Sequence, residues 1–103
     1  MNIFERLFGK SDTTDLQSVI DGGAFLVDVR TQGEYALGHV KGSVNIPLDR
    51  IQSQLPKFKN KKNIVVFCQS GGRSRMAKSL LEQCGFTNVI NGGTWNKING
   101  LVS

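Results

Sequence analysis

The residues best suited to covalent chemistry in this chain of 103 form one short run, Cys68-Gln69-Ser70-Gly71-Gly72-Arg73-Ser74. A thiolate is a strong nucleophile, and its availability depends on how far the surroundings lower the thiol pKa from about 8.5. Small residues and two glycines after the cysteine let the backbone turn tightly and approach a guest closely. Where such a loop joins the carboxyl end of a strand to the amino end of a helix, its amides lack regular partners and form a nest for anions. With Arg73 nearby, Cys68 is expected to ionise in the range of roughly 3.5 to 7.5 found at electropositive sites. The opposing reading is a half-buried thiol that ends a strand beside an ordinary glycine turn, because cysteine often serves as a small hydrophobe.

The elements around the run must supply that strand and that helix. Ile64-Val65-Val66-Phe67 is apolar and mostly β-branched, lies between a charged loop and a turn, and predicts a buried strand. Met76, Ala77, Leu80, Leu81 and Cys84 recur at helical spacing and predict a helix from Ser74 to Cys84 that stops at Gly85. Upstream, Thr13 or Thr14 caps a helix over Asp15 to Asp21, with Leu16, Val19 and Ile20 facing the core. Ala24 to Val29 reads as a strand buried on both faces, Gly33 to Leu37 as one helical turn, and Ser43 to Ile46 as a second brief strand. Leu48 to Leu55 predicts a helix ended before Pro56. Asn88-Val89-Ile90 is a last strand, with Gly92-Gly93 after it and a short helix holding Trp95 and Ile98. This alternation implies an α/β domain with a mainly parallel central sheet and helices on both faces, and ligands then bind outside the carboxyl ends of the strands. Cys68 falls at such an end.

Composition sets the wider bounds. A chain of this length holds one domain, and 39% apolar with 20% charged residues is a globular balance. The net charge of +5 favours anionic partners in general. The densest basic run, Lys57-Phe58-Lys59-Asn60-Lys61-Lys62, precedes the strand that ends in Cys68, so it is expected at the opposite edge of the sheet as a solvated loop. No aromatic or arginine-rich pattern points to nucleic acid. No stretch approaches the ~18 apolar residues of a membrane helix, and the first residues do not read as a secretory signal, so the cytoplasm and free thiols are expected. Ile3, Phe4, Leu7 and Phe8 can form one stripe of a short helix that docks on the domain, on a partner or on a membrane surface; self-docking or partial disorder is the expectation, because one or two turns bind membranes poorly. Cys84 lies beyond an intervening helix from Cys68, too far for disulfide geometry, and is assigned to the core. One histidine and two cysteines so placed give no metal site and call for no cofactor.

Four motifs carry a resemblance: Leu26 to Tyr35 (LVDVRTQGEY), Gly38 to Pro47 (GHVKGSVNIP), Val66 to Ser74 (VFCQSGGRS), and Gly85 to Gly93 (GFTNVINGG) with Trp95. Together, in this order, they resemble the rhodanese family from about Thr13 to Ile98. The resemblance implies a rhodanese-like three-layer domain over residues 13–103, preceded by a short extension over residues 1–12. It also implies a single-domain sulfurtransferase in which Cys68 takes a sulfane sulfur from an anionic donor such as thiosulfate. The persulfide so formed is passed to cyanide or a thiol, with thioredoxin or a sulfur-carrier protein among the acceptors. Amides of Gln69, Ser70, Gly71, Gly72, Arg73 and Ser74 would stabilise the persulfide anion, and Arg73 would add charge for the donor. Asp28 and Arg30, in the first motif, either orient the loop or form an ion pair with Glu34. His39 is a structural turn residue in that family. Two alternatives remain: a protein-binding module without activity on the same fold, and an oxyanion enzyme of the phosphatase or arsenate-reductase type. Such oxyanion enzymes have a longer loop between cysteine and arginine, whereas only Gln69 to Gly72 intervene here, a tighter ring that suits a single sulfur atom.

Overall fold

A computed structural model describes residues 16–102. Helix α1 (residues 16–21) is followed by β1 (Phe25–Asp28), α2 (Gln32–Leu37), β2 (Val44–Asn45) and two 3-10 segments (Leu48–Arg50 and Gln52–Phe58). Then come β3 (Ile64–Cys68), α3 (Gly72–Gln83), β4 (Val89–Thr94) and α4 (Trp95–Val102). The stripe from Ile3 to Phe8, the cap at Thr13 or Thr14, and the boundary at residue 12 lie outside the described residues.

The strands pair in the order β2-β1-β3-β4, every pair parallel. Successive residues of a strand face opposite sides, and β3, buried along its whole length, shows what that means here. Ile64, Val66 and Cys68 join a core with Ala77 and Leu81 of α3, with Ile51 between the two 3-10 segments and with Phe58 at the end of the second. Val65 and Phe67 join the opposite core, with Leu16 of α1 and Ile98 of α4. The protein is therefore a three-layer α/β domain, as the alternation of elements predicts. Phe58 anchors the first core, edge-on to both Phe25 and Phe86 at 5.8 and 6.1 Å between ring centres. Burying a side chain of this size contributes about 1.5–3 kcal/mol.

Several boundaries differ from expectation for physical reasons. The helix expected over Leu48 to Leu55 is two 3-10 segments, the second of which is itself interrupted by non-helical dihedrals at Gln54. Restarting there puts Pro56 near the start of the new turn, where its missing N–H costs little, and the segment runs on to Phe58. Strand β4 does not stop at Ile90 but continues through Gly92-Gly93 to Thr94. Val66 pairs with Asn91 and Phe67 with Gly93, leaving Gly92 as the extra residue of a bulge. A Cβ at Gly92 would lie 2.8 Å from both Ile98 Cδ1 and Val65 Cγ1, so only glycine fits between β3 and α4.

Helix α3 begins two residues earlier than expected and buries Ser74, Ala77 and Leu81. Met76, about 100° around the helix from Ala77, is 60% exposed. Cys84, assigned above to the core, is exposed. It is the C-cap of α3, with dihedrals that have already left the helix, and so lies past the last turn covered by the sheet. The basic run does lie at the far edge of the sheet from Cys68: Lys61 Nζ is 4.5 Å from the ring of Phe25, at the start of β1.

Candidate active site

Cys68 is the last residue of β3 and is 1% exposed. The chain then turns through Gln69, Ser70 and Gly71 into α3. Gly71 makes the turn possible with φ +99°, a conformation that side-chain-bearing residues rarely adopt. Gly72, also expected to need that freedom, is instead the first residue of the helix. The turn brings N–H groups onto the sulfur: Gly71 N donates to Cys68 Sγ at 3.0 Å and Ser74 N at 3.4 Å. The second of these belongs to the first turn of α3, whose amides have no partners within the helix.

Burial pushes the Cys68 thiol pKa up, but hydrogen bonds from the Ser74 side chain and from the backbones of Ser74, Gly71 and Ser70 outweigh it, and the net direction is down. Ser74 is the hub of this arrangement. Its Oγ lies 3.6 Å from Cys68 Sγ, 3.0 Å from the Gly71 carbonyl oxygen and 2.7 Å from Asn91 Oδ1. Asn91 Oδ1 also accepts from Gly93 N at 3.0 Å, so the β4 bulge is tied to the loop through one side chain.

Arg73 does not stand free to receive an anion. Its guanidinium meets Glu34 of α2 with two parallel bonds, Nη1 to Oε1 at 2.7 Å and Nη2 to Oε2 at 3.0 Å. Glu34 is in turn the N3 residue of a capping box, with Thr31 N donating to its Oε1 and its own N–H bonded to Thr31 Oγ1. Arg73 first, and then Thr31, hold the Glu34 carboxyl at about 2, while Glu34 raises the Arg73 pKa further.

Asp28 and Arg30 form a buried pair, Arg30 Nη2 to Asp28 Oδ2 at 2.7 Å with Nε bridging both carboxylate oxygens. The ion pair considered between Arg30 and Glu34 does not form. Arg30 reaches only the Glu34 backbone carbonyl, at 3.4 Å, because the Glu34 carboxylate turns to Arg73. Arg30 Nη2 also donates to the Gly38 carbonyl at 2.7 Å, and its guanidinium lies 4.5 Å from the Trp95 ring centre. Trp95 Nε1 then donates to Gln69 Oε1 at 3.2 Å, which continues the contact chain from the buried pair to the loop. His39 stacks on Tyr35 and its Nδ1 lies 2.9 Å from the Tyr35 carbonyl oxygen, an arrangement that fixes the turn after α2.

Of the loop residues expected from the sequence, Ser70, Gly71 and Ser74 direct hydrogen bonds at Cys68, while the side chains of Gln69 and Arg73 turn to Trp95 and Glu34. The pairing of Glu34 with Arg73, the part played by Asn91 and the contact of Trp95 with Gln69 were not expected. The Thr31-Gln32-Gly33-Glu34 capping signature was readable, but it pointed to a helix start and not to the loop. Among the described residues no group of three or more histidine, cysteine, aspartate or glutamate side chains is placed to hold a metal ion.

A cysteine in a ring of amides between strand and helix is shared by more than one kind of enzyme, so comparison with known proteins decides the family. The family model described as the rhodanese-like domain matches residues 12–96. This chain belongs to the rhodanese family. Among its relatives, thiosulfate sulfurtransferase PspE of Escherichia coli (strain K12) is 36% identical over 69 residues, covering 65% of this chain and 66% of PspE. The putative sulfur carrier protein YrkF of Bacillus subtilis (strain 168) is 36% identical over 66 residues, covering 64% of this chain and 36% of YrkF. The chain therefore spans slightly under two thirds of one of these relatives and about a third of the other. Among solved structures, the human single-domain sulfurtransferase TSTD1 superposes with a TM-score of 0.69 at 30% identity, covering 82% of this chain and 89% of TSTD1. The rhodanese fold and the sulfurtransferase kinship follow.

Proposed function

We propose that this rhodanese domain transfers sulfane sulfur through a persulfide on Cys68. The observation that carries the reading is the seat of the sulfur. Cys68 Sγ is buried at the end of β3 and accepts amide N–H groups from Gly71 and Ser74.

With thiosulfate as donor, the Cys68 thiolate attacks the outer sulfur and a new S–S bond forms. The S–S bond of thiosulfate breaks, its electron pair leaves with sulfite, and Cys68 holds a persulfide anion. Three negative charges enter the step and three leave it, with no outside oxidant or reductant. The amides of Gln69 to Ser74 stabilise that anion much as an oxyanion hole would. An incoming thiolate or cyanide then takes the outer sulfur and returns the Cys68 thiolate. The acceptor class is a thiol, on a small molecule, thioredoxin or a sulfur-carrier protein, and the work is done in a reducing cytoplasm. Asp28 and Arg30 touch no reacting atom and act as positioning residues through Trp95 and Gln69.

Incubation with thiosulfate followed by peptide mass spectrometry should find one added sulfur on the Cys68 peptide, and cyanide should then release thiocyanate. Cys68→Ser should lose both signals, a fall of at least ~10³-fold as expected for loss of a nucleophile. Thiocyanate formation surviving in Cys68→Ser would overturn the reading. So would an unmodified Cys68 together with phosphate-ester hydrolysis.

A further inference from the structure

The loop carries an arginine, yet its charge is already spent. Arg73 presents both of its terminal nitrogens to the two oxygens of Glu34, at 2.7 and 3.0 Å, and both side chains are 35% exposed. The planar fork of a guanidinium matches one carboxylate or one tetrahedral oxyanion at a time, so a sulfonate-like group must displace Glu34 to use it. Arg30, of the first motif, is committed to Asp28 in the same way and is 3% exposed. Each of these two arginines is thus matched by a carboxylate, and what acts on the Cys68 sulfur is the dipolar field of the loop amides and the Ser74 hydroxyl. That field seats one sulfur atom well and attracts a dianion weakly.

We infer that Glu34 sets the donor preference of this site: by occupying Arg73 it disfavours dianionic thiosulfate and favours a donor whose sulfane group carries at most one charge, an organic persulfide. The inference builds on the sulfur-transfer reading for its substrate class. The step it implies balances as before. The Cys68 thiolate attacks the terminal sulfur of R–S–SH, the donor S–S bond breaks, R–S⁻ leaves with the electron pair, and Cys68 keeps the S–SH group.

Glu34→Gln is the informative variant because glutamine at this position keeps the capping box. The amide oxygen can accept from Thr31 N as the carboxylate does now, so α2 stays closed while the negative charge disappears. Two readouts are needed. The first is the ratio of Cys68 alkylation rates by anionic iodoacetate and neutral iodoacetamide, followed at the Cys68 peptide so that exposed Cys84 does not contribute. The second is the ratio of kcat/KM for thiosulfate to that for the persulfide of 2-mercaptoethanol. Glu34→Gln should raise both ratios about tenfold, the scale of one unit charge in a partly solvated setting, the second through a lower KM for thiosulfate. Adding Arg73→Met should abolish both gains.

An alkylation ratio unmoved by Glu34→Gln would overturn the inference, as would gains that survive Arg73→Met. A shifted alkylation ratio with a donor ratio that stays put or falls would overturn it for the choice of donor. A shifted alkylation ratio with no sulfur transfer from either donor would sink the sulfur-transfer reading instead and leave the charge selectivity of the pair standing.

Discussion

Removing the Ser74 hydroxyl isolates its contribution to the nucleophile. Ser74 is fully buried, and its oxygen stands between Cys68 Sγ and Asn91 Oδ1. A hydroxyl has one hydrogen and can accept as well as donate. It can therefore accept from the thiol and, by rotating, donate to the thiolate. Against the opposing push of burial, this side chain heads the hydrogen bonds that lower the Cys68 pKa. Ser74→Ala should raise that pKa, so the alkylation rate of Cys68 should climb to its plateau at higher pH than in the unaltered protein. At neutral pH the rate should fall about tenfold, from a bond to a charged group worth roughly 1.5 kcal/mol. A pH profile of iodoacetamide alkylation checks it, and an unshifted midpoint would leave the backbone amides as the whole cause. Cys68 and its loop were legible in the sequence because a nucleophile, small residues and glycines are neighbours in the chain. Glu34 was not, since 39 positions separate it from Arg73 and only the placement of α2 beside the loop joins them.

At the scale of elements, β4 shows best where local reading ends. Glycine weakens a strand, so Gly92-Gly93 read as a stop after Ile90, whereas strand pairing carries on to Thr94. What outweighs the local preference is tertiary: the bulge lets α4 press against β3 at Gly92, where no Cβ intervenes. Strand β3 was legible for the converse reason, because a strand buried on both faces is apolar at every position. Cys84 misled because helical spacing says which face a residue shares and not where the sheet beneath it ends. Gly92→Ala tests the bulge directly. The added carbon would meet Ile98 and Val65 at 2.8 Å, and moving such packed atoms costs about 1–3 kcal/mol. Urea unfolding should show that loss, and thiocyanate release should fall as well, since Asn91 and Gly93 flank the bulge and touch Ser74. A variant as stable as the parent would mean that α4 shifts freely on the sheet.

For the molecule as a whole, one buried side chain ties the carboxyl edge of the sheet together. Arg30, two residues past the end of β1, binds Asp28, the carbonyls of Glu34 and Gly38 in and after α2, and the ring of Trp95 at the start of α4. Attraction within such a pair is partly offset by the cost of taking both charges out of water. Its removal on one side is a different matter, because the remaining charge is left buried. Asp28 is wholly inaccessible, so Arg30→Met should cost about 3–5 kcal/mol, a large part of the 5–15 kcal/mol that holds a typical domain together. Replacing both partners, Asp28→Leu with Arg30→Met, should recover much of that loss in urea unfolding, since two apolar side chains leave no charge stranded. Sulfur transfer should stay depressed in the double variant, because the stack that seats Trp95 against Gln69 is still missing. Stability and transfer returning together would mean that the pair serves the fold alone.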